Sequence, residues 1–237
     1  MSLKGCVRQL LNKVIYGSNS DSDSCIKHLR SLGCRIGEGT VIFSPTKTLI
    51  DTTRPWLIEI GKNVQITEGV TILTHGYDWS VLKGVYGEVL GSSGGVSIGD
   101  NVFIGMKSTI LKGTHIGNNV VIGANSLVNK NIPGNCVAAG NPCHVIMNLE
   151  EYYQKRKMAQ FNEATELVRE YRKVYNREPD ESALREFFWL FSNNPENLPE
   201  VWHEVNRLCG NEFMSTEIMK NNKTMYNGME AFLRSIQ

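Results

Sequence analysis

The sequence has no uninterrupted apolar run near the roughly 18 residues that a membrane-spanning helix needs. Its start also lacks the sustained apolar core and small-residue cleavage site of an export signal. Neither charge is in excess, because 25 basic residues face 24 acidic ones, so the overall charge favours neither nucleic acid nor an anionic membrane as a partner. We therefore expect a cytoplasmic protein with neither of these partners.

Paired cysteines are also missing. The six cysteines include no C-x-x-C pair, and the cysteine and histidine spacing does not match that of structural zinc sites. Without an export signal, free thiols are the better interpretation. We expect no bound metal.

What the sequence does contain is a six-residue spacing over residues 98–133. Every sixth residue is aliphatic, usually with a glycine after it: Ile98, Ile104, Ile110, Ile116, Ile122 and Val128. The fifth place of each hexad is small or β-branched, at Val102, Ser108, Thr114, Val120, Ser126 and Ile132. Neither a helix nor plain strand alternation produces this period, whereas a parallel β-solenoid with one hexad on each flat face does.

The hexads also repeat in threes. The segment IGDNVFIGMKSTILKGTH matches the following IGNNVVIGANSLVNKNIP at 8 of 18 places, so three hexads form one coil of a triangular prism. We expect the glycines at corners that other residues enter poorly. Ile36 opens a first coil, which we expect to be irregular because Thr48 and Arg54 occupy its inward places.

This pattern is similar to that of the hexapeptide-repeat acyltransferases, whose fold is a left-handed parallel β-helix. The handedness is implied by the resemblance, since the spacing does not determine it. Three further segments resemble the sugar, galactoside and polysaccharide O-acetyltransferases of that family: TRPWLIE at 53–59, LTHGYDWS at 73–80 and AAGNPCHVI at 138–146. The resemblance covers residues 30–147.

The chain divides into three predicted parts. Residues 1–33 form a helical lead, with one helix over 3–16 and a second from Ser22 or Asp23 to Leu32. This lead covers the first coil or, alternatively, binds the acceptor. Residues 34–147 form the β-helix, interrupted by an inserted loop over 74–95.

Residues 148–237 form a helical C-terminal region. We expect helices from Leu149 to about Asn176, from Pro179 onward, over 199–209 and near 228–236. Their aromatic residues form a core of their own or pack on the prism; the alternative is that this region selects an acceptor or a partner.

His75 is the candidate general base. An ordinary histidine, with a pKa of about 6.5, is mostly neutral and able to accept a proton at physiological pH. It lies at the mouth of the inserted loop, and its place in LTHGYDW resembles that of the family's catalytic histidine. Asp78 and Glu88 are the nearest loop carboxylates that could orient it or receive acceptor hydroxyls. Tyr77 and Trp79 could stack on a sugar.

The resemblance also implies a site for acetyl-CoA. It would make the Met106 amide a donor to the thioester region and the Ala124 amide the matching contact from the next coil. Phe103 would lie beside the pantetheine arm. Asn129 and Lys130 stand where the family often has Thr-Lys near the nucleotide. Gly140, Asn141 and Pro142 match a terminal G-x-P, and His144 replaces the basic residue common after it.

The leading interpretation is an acetyl-CoA-dependent O-acetyltransferase acting directly on a hydroxyl of a sugar or saccharide, without an acyl-enzyme. The family implies a homotrimer with active sites between subunits. N-acylation of an amino sugar remains open, as does a non-catalytic trimeric scaffold. A zinc hydratase of the γ carbonic anhydrase type ranks low, because it needs three histidines and only His75 and His115 lie in the repeats.

Overall fold

The computed structural model describes residues 11–236. Residues 11–16 are helical, and the rest of the helix predicted over 3–16 lies outside the described residues. The helices are α1 Ser22–Leu32, α2 Trp79–Tyr86, α3 Leu149–Tyr175, α4 Glu200–Asn206, α5 Glu212–Lys220 and α6 Met229–Ser235. In the described residues no helix is both long and apolar enough to cross a membrane.

Fourteen short strands form the prism in the described part of the chain. The strands are β1 Arg35–Ile36, β2 Val41–Ile42, β3 Leu49–Ile50, β4 Ile58–Ile60, β5 Gln65–Ile66, β6 Thr71–Ile72, β7 Val96–Ile98, β8 Val102–Ile104, β9 Thr109–Ile110, β10 Thr114–Ile116, β11 Val120–Ile122, β12 Leu127–Val128, β13 Cys136–Ala139 and β14 His144–Asn148. Three sheets make three faces: face A is β1-β4-β7-β10, face B is β2-β5-β8-β11-β13-β14 and face C is β3-β6-β9-β12. All pairs are parallel except β13 with β14. The fold is the expected left-handed parallel β-helix.

The predicted hexads fill the core of the prism. All six aliphatic residues of the repeat are buried, as are the six residues at the fifth places. Neighbouring coils pair in the predicted 18-residue register, for example Ile122 with Ile104 and Val128 with Ile110. Buried hydroxyls make hydrogen bonds to backbone carbonyls: Ser108 Oγ and Ser126 Oγ both donate to Gly123 O, at 2.9 and 2.6 Å.

The glycines that follow the aliphatic residues lie at corners that residues with side chains cannot enter, as expected. They do not adopt the left-handed conformation; instead they lie where neighbouring coils approach closely. A Cβ built on Gly117 would come within 2.5 Å of the backbone nitrogen of Gly134. The left-handed corner residues of this stretch include asparagines two places later, Asn101 and Asn119, whose side chains hydrogen-bond to each other at 2.9 Å.

The first coil is irregular, as predicted. Ile36 pairs with Ile60, but Ile50, and not Thr48, takes the inward place opposite Ile72. Two extra residues between β2 and β3 move the inward place from Thr48 to Ile50. The insertion after β6 also forms as predicted, and α2 lies within it.

Helix α1 covers the first coil of the prism, and an antiparallel strand follows its last coil. Helix α1 is capped by Asp21, one residue before the predicted position, and ends at Gly33 in the left-handed conformation. Ser22 Oγ accepts from the Ile42 amide at 3.0 Å, and the Arg30 guanidinium donates to Ile36 O at 2.7 Å, so α1 satisfies backbone groups of the first coil. This supports the covering role of the lead. At the other end, β14 returns antiparallel on β13.

Among the described residues, 153–236 form one compact unit and 11–152 form another. The predicted start of α3 is confirmed: Asn148 Oδ1 accepts from the Glu151 amide at 2.8 Å, and Glu151 Oε2 accepts from the Asn148 amide at 3.2 Å. The helix predicted from Pro179 is wrong, because that segment forms turns and a short 3₁₀ helix at Phe188–Leu190. The aromatic residues form the unit's own core with residues of its helices: Ala164, Val168, Leu184, Phe188, Leu190, Phe191, Leu198, Trp202, Met219, Phe232, Leu233 and Ile236.

Candidate active site

His75 lies just beyond β6, where the chain leaves face C and enters the insertion. The base of the insertion is held together by an antiparallel bridge between His75 and Ser93. The Gly94 amide donates to Thr74 O at 2.9 Å, and the Gly76 amide donates to Ser92 O at 3.0 Å. The side chain of His75 is 28% exposed, so it is held in place yet reachable by a ligand.

The carboxylate that contacts His75 is Asp51, at the end of β3. Asp51 Oδ2 lies 2.6 Å from His75 Nδ1. This contact follows from the sheet, because β3 pairs with β6 and both residues follow the paired strands. Asp51 is buried, with only 6% of its surface exposed.

Two threonines complete the environment of Asp51. Oδ1 accepts from the amide and the hydroxyl of Thr53, at 2.9 and 2.7 Å. Oδ2 accepts from the Thr74 amide at 3.1 Å and from the Thr74 hydroxyl. Burial alone would raise the pKa of Asp51, but the hydrogen bonds from Thr53, Thr74 and His75 together hold that pKa well below its ordinary value. Asp51 is therefore an anion at neutral pH.

This anion fixes the tautomer of His75. An ionised carboxylate only accepts hydrogen bonds, so Nδ1 carries the hydrogen that points to Asp51. In the neutral ring Nε2 then has a lone pair, and no described residue donates a hydrogen bond to it. The arrangement is a base whose accepting nitrogen is available and whose protonated form would be stabilised by Asp51.

The prediction that Asp78 or Glu88 orients His75 is wrong. Both are exposed, and within the described residues neither hydrogen-bonds to His75. Their alternative role toward acceptor hydroxyls stays a prediction. Tyr77 and Trp79 lie in the same loop with ring centroids 4.7 Å apart, and Tyr77 is 69% exposed, so stacking on a sugar also stays a prediction.

The amides predicted to contact the thioester region lie at another corner of the prism. Met106 follows β8 and Ala124 follows β11, at equivalent positions of adjacent coils. Within the described residues neither amide donates a hydrogen bond, whereas the amides on either side of each do. Two neighbouring backbone N–H groups are therefore available to a carbonyl or another acceptor. Phe103 projects outward from β8 and is 41% exposed.

One chain does not bring the histidine and these amides together. The amides precede β9 and β12 on face C, whereas His75 follows β6 on the same face. At about 3.3 Å per extended residue, the width of the face separates them by on the order of 20 Å. Asn129 and Lys130 follow β12, so they lie at the corner of His75, two strands further along the prism.

The remaining predicted residues lie in the connection from β13 to β14. Gly140, Asn141, Pro142 and His144 are at least partly accessible, and His144 Nδ1 lies 3.2 Å from Pro142 O. Their role near the nucleotide stays a prediction.

Residues 11–236 contain free thiols and no cluster of metal-binding side chains. The five cysteines in this range are free, while Cys6 lies outside it, and burial raises the pKa of the Cys25, Cys34, Cys136 and Cys143 thiols. The same range holds no group of three or more histidine, cysteine, aspartate or glutamate residues that could bind a metal ion. His115 is exposed and faces outward on β10.

Comparison with known proteins gives a family match within the prism. The family model "bacterial transferase hexapeptide (six repeats)" matches residues 95–130. Protein CapG of Staphylococcus aureus is 39% identical over 127 residues, which are 54% of this chain and 73% of that protein. Galactoside O-acetyltransferase of Escherichia coli is 40% identical over 112 residues, which are 46% of this chain and 53% of that enzyme.

A solved structure, a maltose O-acetyltransferase from Clostridium difficile 630, is 28% identical with a TM-score of 0.40; the match covers 62% of this chain and 89% of that one. The chain thus spans most of CapG and about half of the galactoside enzyme.

Proposed function

Because the chain belongs to the hexapeptide-repeat acyltransferase family, we propose that it transfers an acetyl group from acetyl-CoA to a hydroxyl of a saccharide, with His75 as the general base. The observation that carries the proposal is the hydrogen bond between His75 and the ionised Asp51. The saccharide class is supported by the similarity to galactoside O-acetyltransferase.

In this reaction acetyl-CoA supplies the acyl group and a thiol leaving group. His75 Nε2 removes the proton of the acceptor hydroxyl as its oxygen bonds to the thioester carbonyl carbon. Asp51 stabilises the imidazolium that forms. When the carbon–sulfur bond breaks, His75 returns the proton to the departing sulfur. The amides of Met106 and Ala124 are suitably free to hold the thioester region and the negative charge that develops on its oxygen.

The pairing of His75 with Asp51 favours a hydroxyl acceptor over an amine. A hydroxyl must lose its proton as it attacks, whereas a neutral amine is already nucleophilic and needs a weaker base. N-acylation of an amino sugar therefore ranks second. The pairing also speaks against a non-catalytic scaffold, because a purely structural prism has no need of an accessible histidine hydrogen-bonded to a buried carboxylate.

We propose that the site is completed between copies of the chain, in a homotrimer. The His75 corner of one copy would meet the amide corner of the next, which brings together the groups that face C separates within a chain. The surface is compatible with this. The outward row of face B is largely apolar: Val41, Gln65, Phe103 and Val121. The outward row of face A is polar: Arg35, Glu59, Ser97 and His115.

Calorimetric titration with acetyl-CoA, and separately with CoA, tests the donor half of the proposal. We expect one binding site per chain and unchanged affinity in His75→Ala, because the histidine acts on the acceptor. Ala124→Trp, which would fill the amide corner, serves as the binding-defective control. If the folded protein binds neither ligand, the acetyltransferase proposal is wrong and the scaffold interpretation takes its place.

A further inference from the structure

The helical unit of residues 153–236 contains a cleft of about 770 Å³. Its walls come from α3, the 3₁₀ helix at Phe188–Leu190, α5 and the connection after α5. A second groove of about 400 Å³ adjoins it and shares Lys157, Gln160, Trp189, Ile218 and Asn222 as lining residues. Nothing in the proposed acetyl transfer uses this cleft.

Hydrogen bonds fix the walls of the cleft. The Asn222 carboxamide donates to Trp189 O at 2.8 Å and to Ser192 O at 3.3 Å. The Met225 amide donates to Leu190 O at 3.0 Å, and Leu190 is buried in the core of the unit. The segment that carries Trp189 and the connection after α5 are therefore tied to each other, so the cleft is formed before a ligand arrives.

The lining combines apolar surface with neutral polar groups. Trp189 is half-buried, while Ile218 and Met225 are 51% and 63% exposed. The carboxamide of Gln160 makes no hydrogen bond within the described residues, and that of Asn221 donates only to Glu217 O, leaving its oxygen available. A sugar ring presents the matching chemistry, because its C–H face packs on apolar or aromatic side chains while its hydroxyl edge exchanges hydrogen bonds with amides.

The charge of the cleft is positive. Lys157 and Lys223 have no ion pair within residues 11–236, and Lys157 makes only a cation–π contact, 5.1 Å from the Tyr153 ring centroid. The one carboxylate in the lining, Glu217, is paired with Lys220 at 2.7 Å. Glu186 lines the adjoining groove and not the cleft itself. Two unpaired ammonium groups favour a ligand that carries carboxylates.

We propose that this cleft binds an acidic saccharide. Trp189, Ile218 and Met225 contact the ring, and Lys157 and Lys223 pair with its carboxylates. Such a cleft would hold a polymeric acceptor or product at a place separate from the reacting hydroxyl. The choice of a saccharide over another acidic ligand rests on the proposed function, whereas the existence of the site does not.

Calorimetric titration of the full chain tests this proposal with three probes. These are a tetrasaccharide of alternating glucuronic acid and N-acetylglucosamine, the neutral maltotetraose, and tetraglutamate as an acidic peptide. We expect the acidic tetrasaccharide to bind at least about tenfold more tightly than either other probe. Equal affinity for tetraglutamate would assign the cleft to acidic peptides and overturn the proposal, as would no saturable binding of the tetrasaccharide.

Charge reversal locates the binding. In Lys157→Glu/Lys223→Glu the affinity for the acidic tetrasaccharide should fall by about tenfold or more. The matched control Lys155→Glu/Lys173→Glu changes the same net charge on exposed lysines that do not line the cleft, and its affinity should stay within about twofold. An equal loss in both variants would show that only overall charge is sensed and would overturn the proposal.

Two measurements keep this test distinct from that of the proposed function. His75→Ala should bind the acidic tetrasaccharide like the unchanged protein, and Lys157→Glu/Lys223→Glu should bind acetyl-CoA with unchanged affinity. If acetyl-CoA fails to bind while the tetrasaccharide result stands, the transferase proposal fails and the cleft remains. If acetyl-CoA binds and the tetrasaccharide does not, only the proposal for the cleft is wrong.

Discussion

Asp51 Oδ2 and His75 Nδ1 lie 2.6 Å apart although 24 residues separate them in the chain. The parallel pairing of β3 with β6 produces this contact, and the hydroxyls of Thr53 and Thr74 hold the carboxylate in place from either side. The pair therefore belongs to the rigid prism, and the accessible His75 ring belongs to the edge of the insertion. A base set on such a scaffold needs little rearrangement before it accepts a proton.

Replacing Asp51 with asparagine should lower kcat for acetyl transfer by roughly 10²- to 10⁴-fold. The neutral amide neither stabilises the imidazolium nor enforces the tautomer that leaves Nε2 free. Because Asp51 acts through His75 and the amide corner holds the donor, the KM for acetyl-CoA should stay nearly constant. Steady-state measurement of CoA release with a saccharide acceptor gives both constants.

The loop carboxylates provide the control for that experiment. Asp78→Asn and Glu88→Gln remove charges that do not contact His75, so kcat should change by less than about threefold, while the KM for the acceptor rises if they receive its hydroxyls. A loss of kcat in either variant as large as that of Asp51→Asn would mean that the role of Asp51 has been wrongly assigned.

Asp51→Asn should also destabilise the fold in a pH-dependent way. In the unchanged protein, the amides of Thr53 and Thr74 donate to the two carboxylate oxygens of Asp51. In either orientation the asparagine NH₂ group would face one of these donors, which costs about 1–3 kcal/mol of stability. The pKa of Asp51 is lower in the folded protein than in the unfolded chain, so its ionised form stabilises the fold fully above about pH 4 and progressively less as the pH falls through the folded value.

Urea unfolding of both proteins at pH 7 and at pH 3 measures this effect, since other titrating groups are shared. The difference in the free energy of unfolding should be larger at pH 7 and smaller at pH 3. A difference that stays constant over this range would show that the carboxylate charge contributes nothing to stability.

Periodicity in the sequence predicted the prism but not the partner of His75. The inward residues of β7 to β12 follow strict six-residue spacing, so their burial and 18-residue register could be foreseen. Asp51 depends on Ile50 taking an inward place that the period assigns to Thr48. A two-residue insertion shifts the register, and only the paired strands reveal it. The sequence signal for a buried carboxylate here is Asp51 directly after the aliphatic Ile50, followed by two threonines that could donate hydrogen bonds to it.

Two differences between prediction and structure in the helical unit have separate physical reasons. Residues 187–191 read FFWLF, and a helix would direct these five side chains all around its axis. Turns and a 3₁₀ helix instead bury Phe188, Leu190 and Phe191 in one core, so tertiary packing overrides the apparent helical pattern. Helix α5, which the sequence did not predict, has neither a side-chain cap nor a proline at its start.

Close coil packing makes a prediction about two glycines. Gly117→Ala should lower the free energy of unfolding by about 1–3 kcal/mol, because its Cβ would meet the backbone of the next coil at 2.5 Å. Gly84→Ala is the matched control: it lies in α2 with nothing within 4 Å of the new Cβ, and it should stabilise the protein by roughly 0.5–1 kcal/mol. Thermal unfolding distinguishes them, and equal effects would contradict the close approach of the coils.

A shared site makes a prediction about mixed assemblies. His75→Ala lacks the base and Ala124→Trp blocks the amide corner, so each protein alone should be nearly inactive. After random co-assembly in equal amounts, about a quarter of the sites should join an intact His75 to an intact neighbouring amide corner and recover that share of activity. If mixing restores nothing in a confirmed mixed oligomer, each site lies within one chain.

The most direct test of the central claim is the rate of acceptor-dependent CoA release by the unchanged protein and by His75→Ala at saturating acetyl-CoA. The proposed mechanism predicts that kcat falls by roughly 10²- to 10⁴-fold in the variant, while the calorimetric affinity for acetyl-CoA is unchanged. A variant that releases CoA at the original rate, with the acetyl group still reaching the saccharide hydroxyl, would show that His75 is not the base.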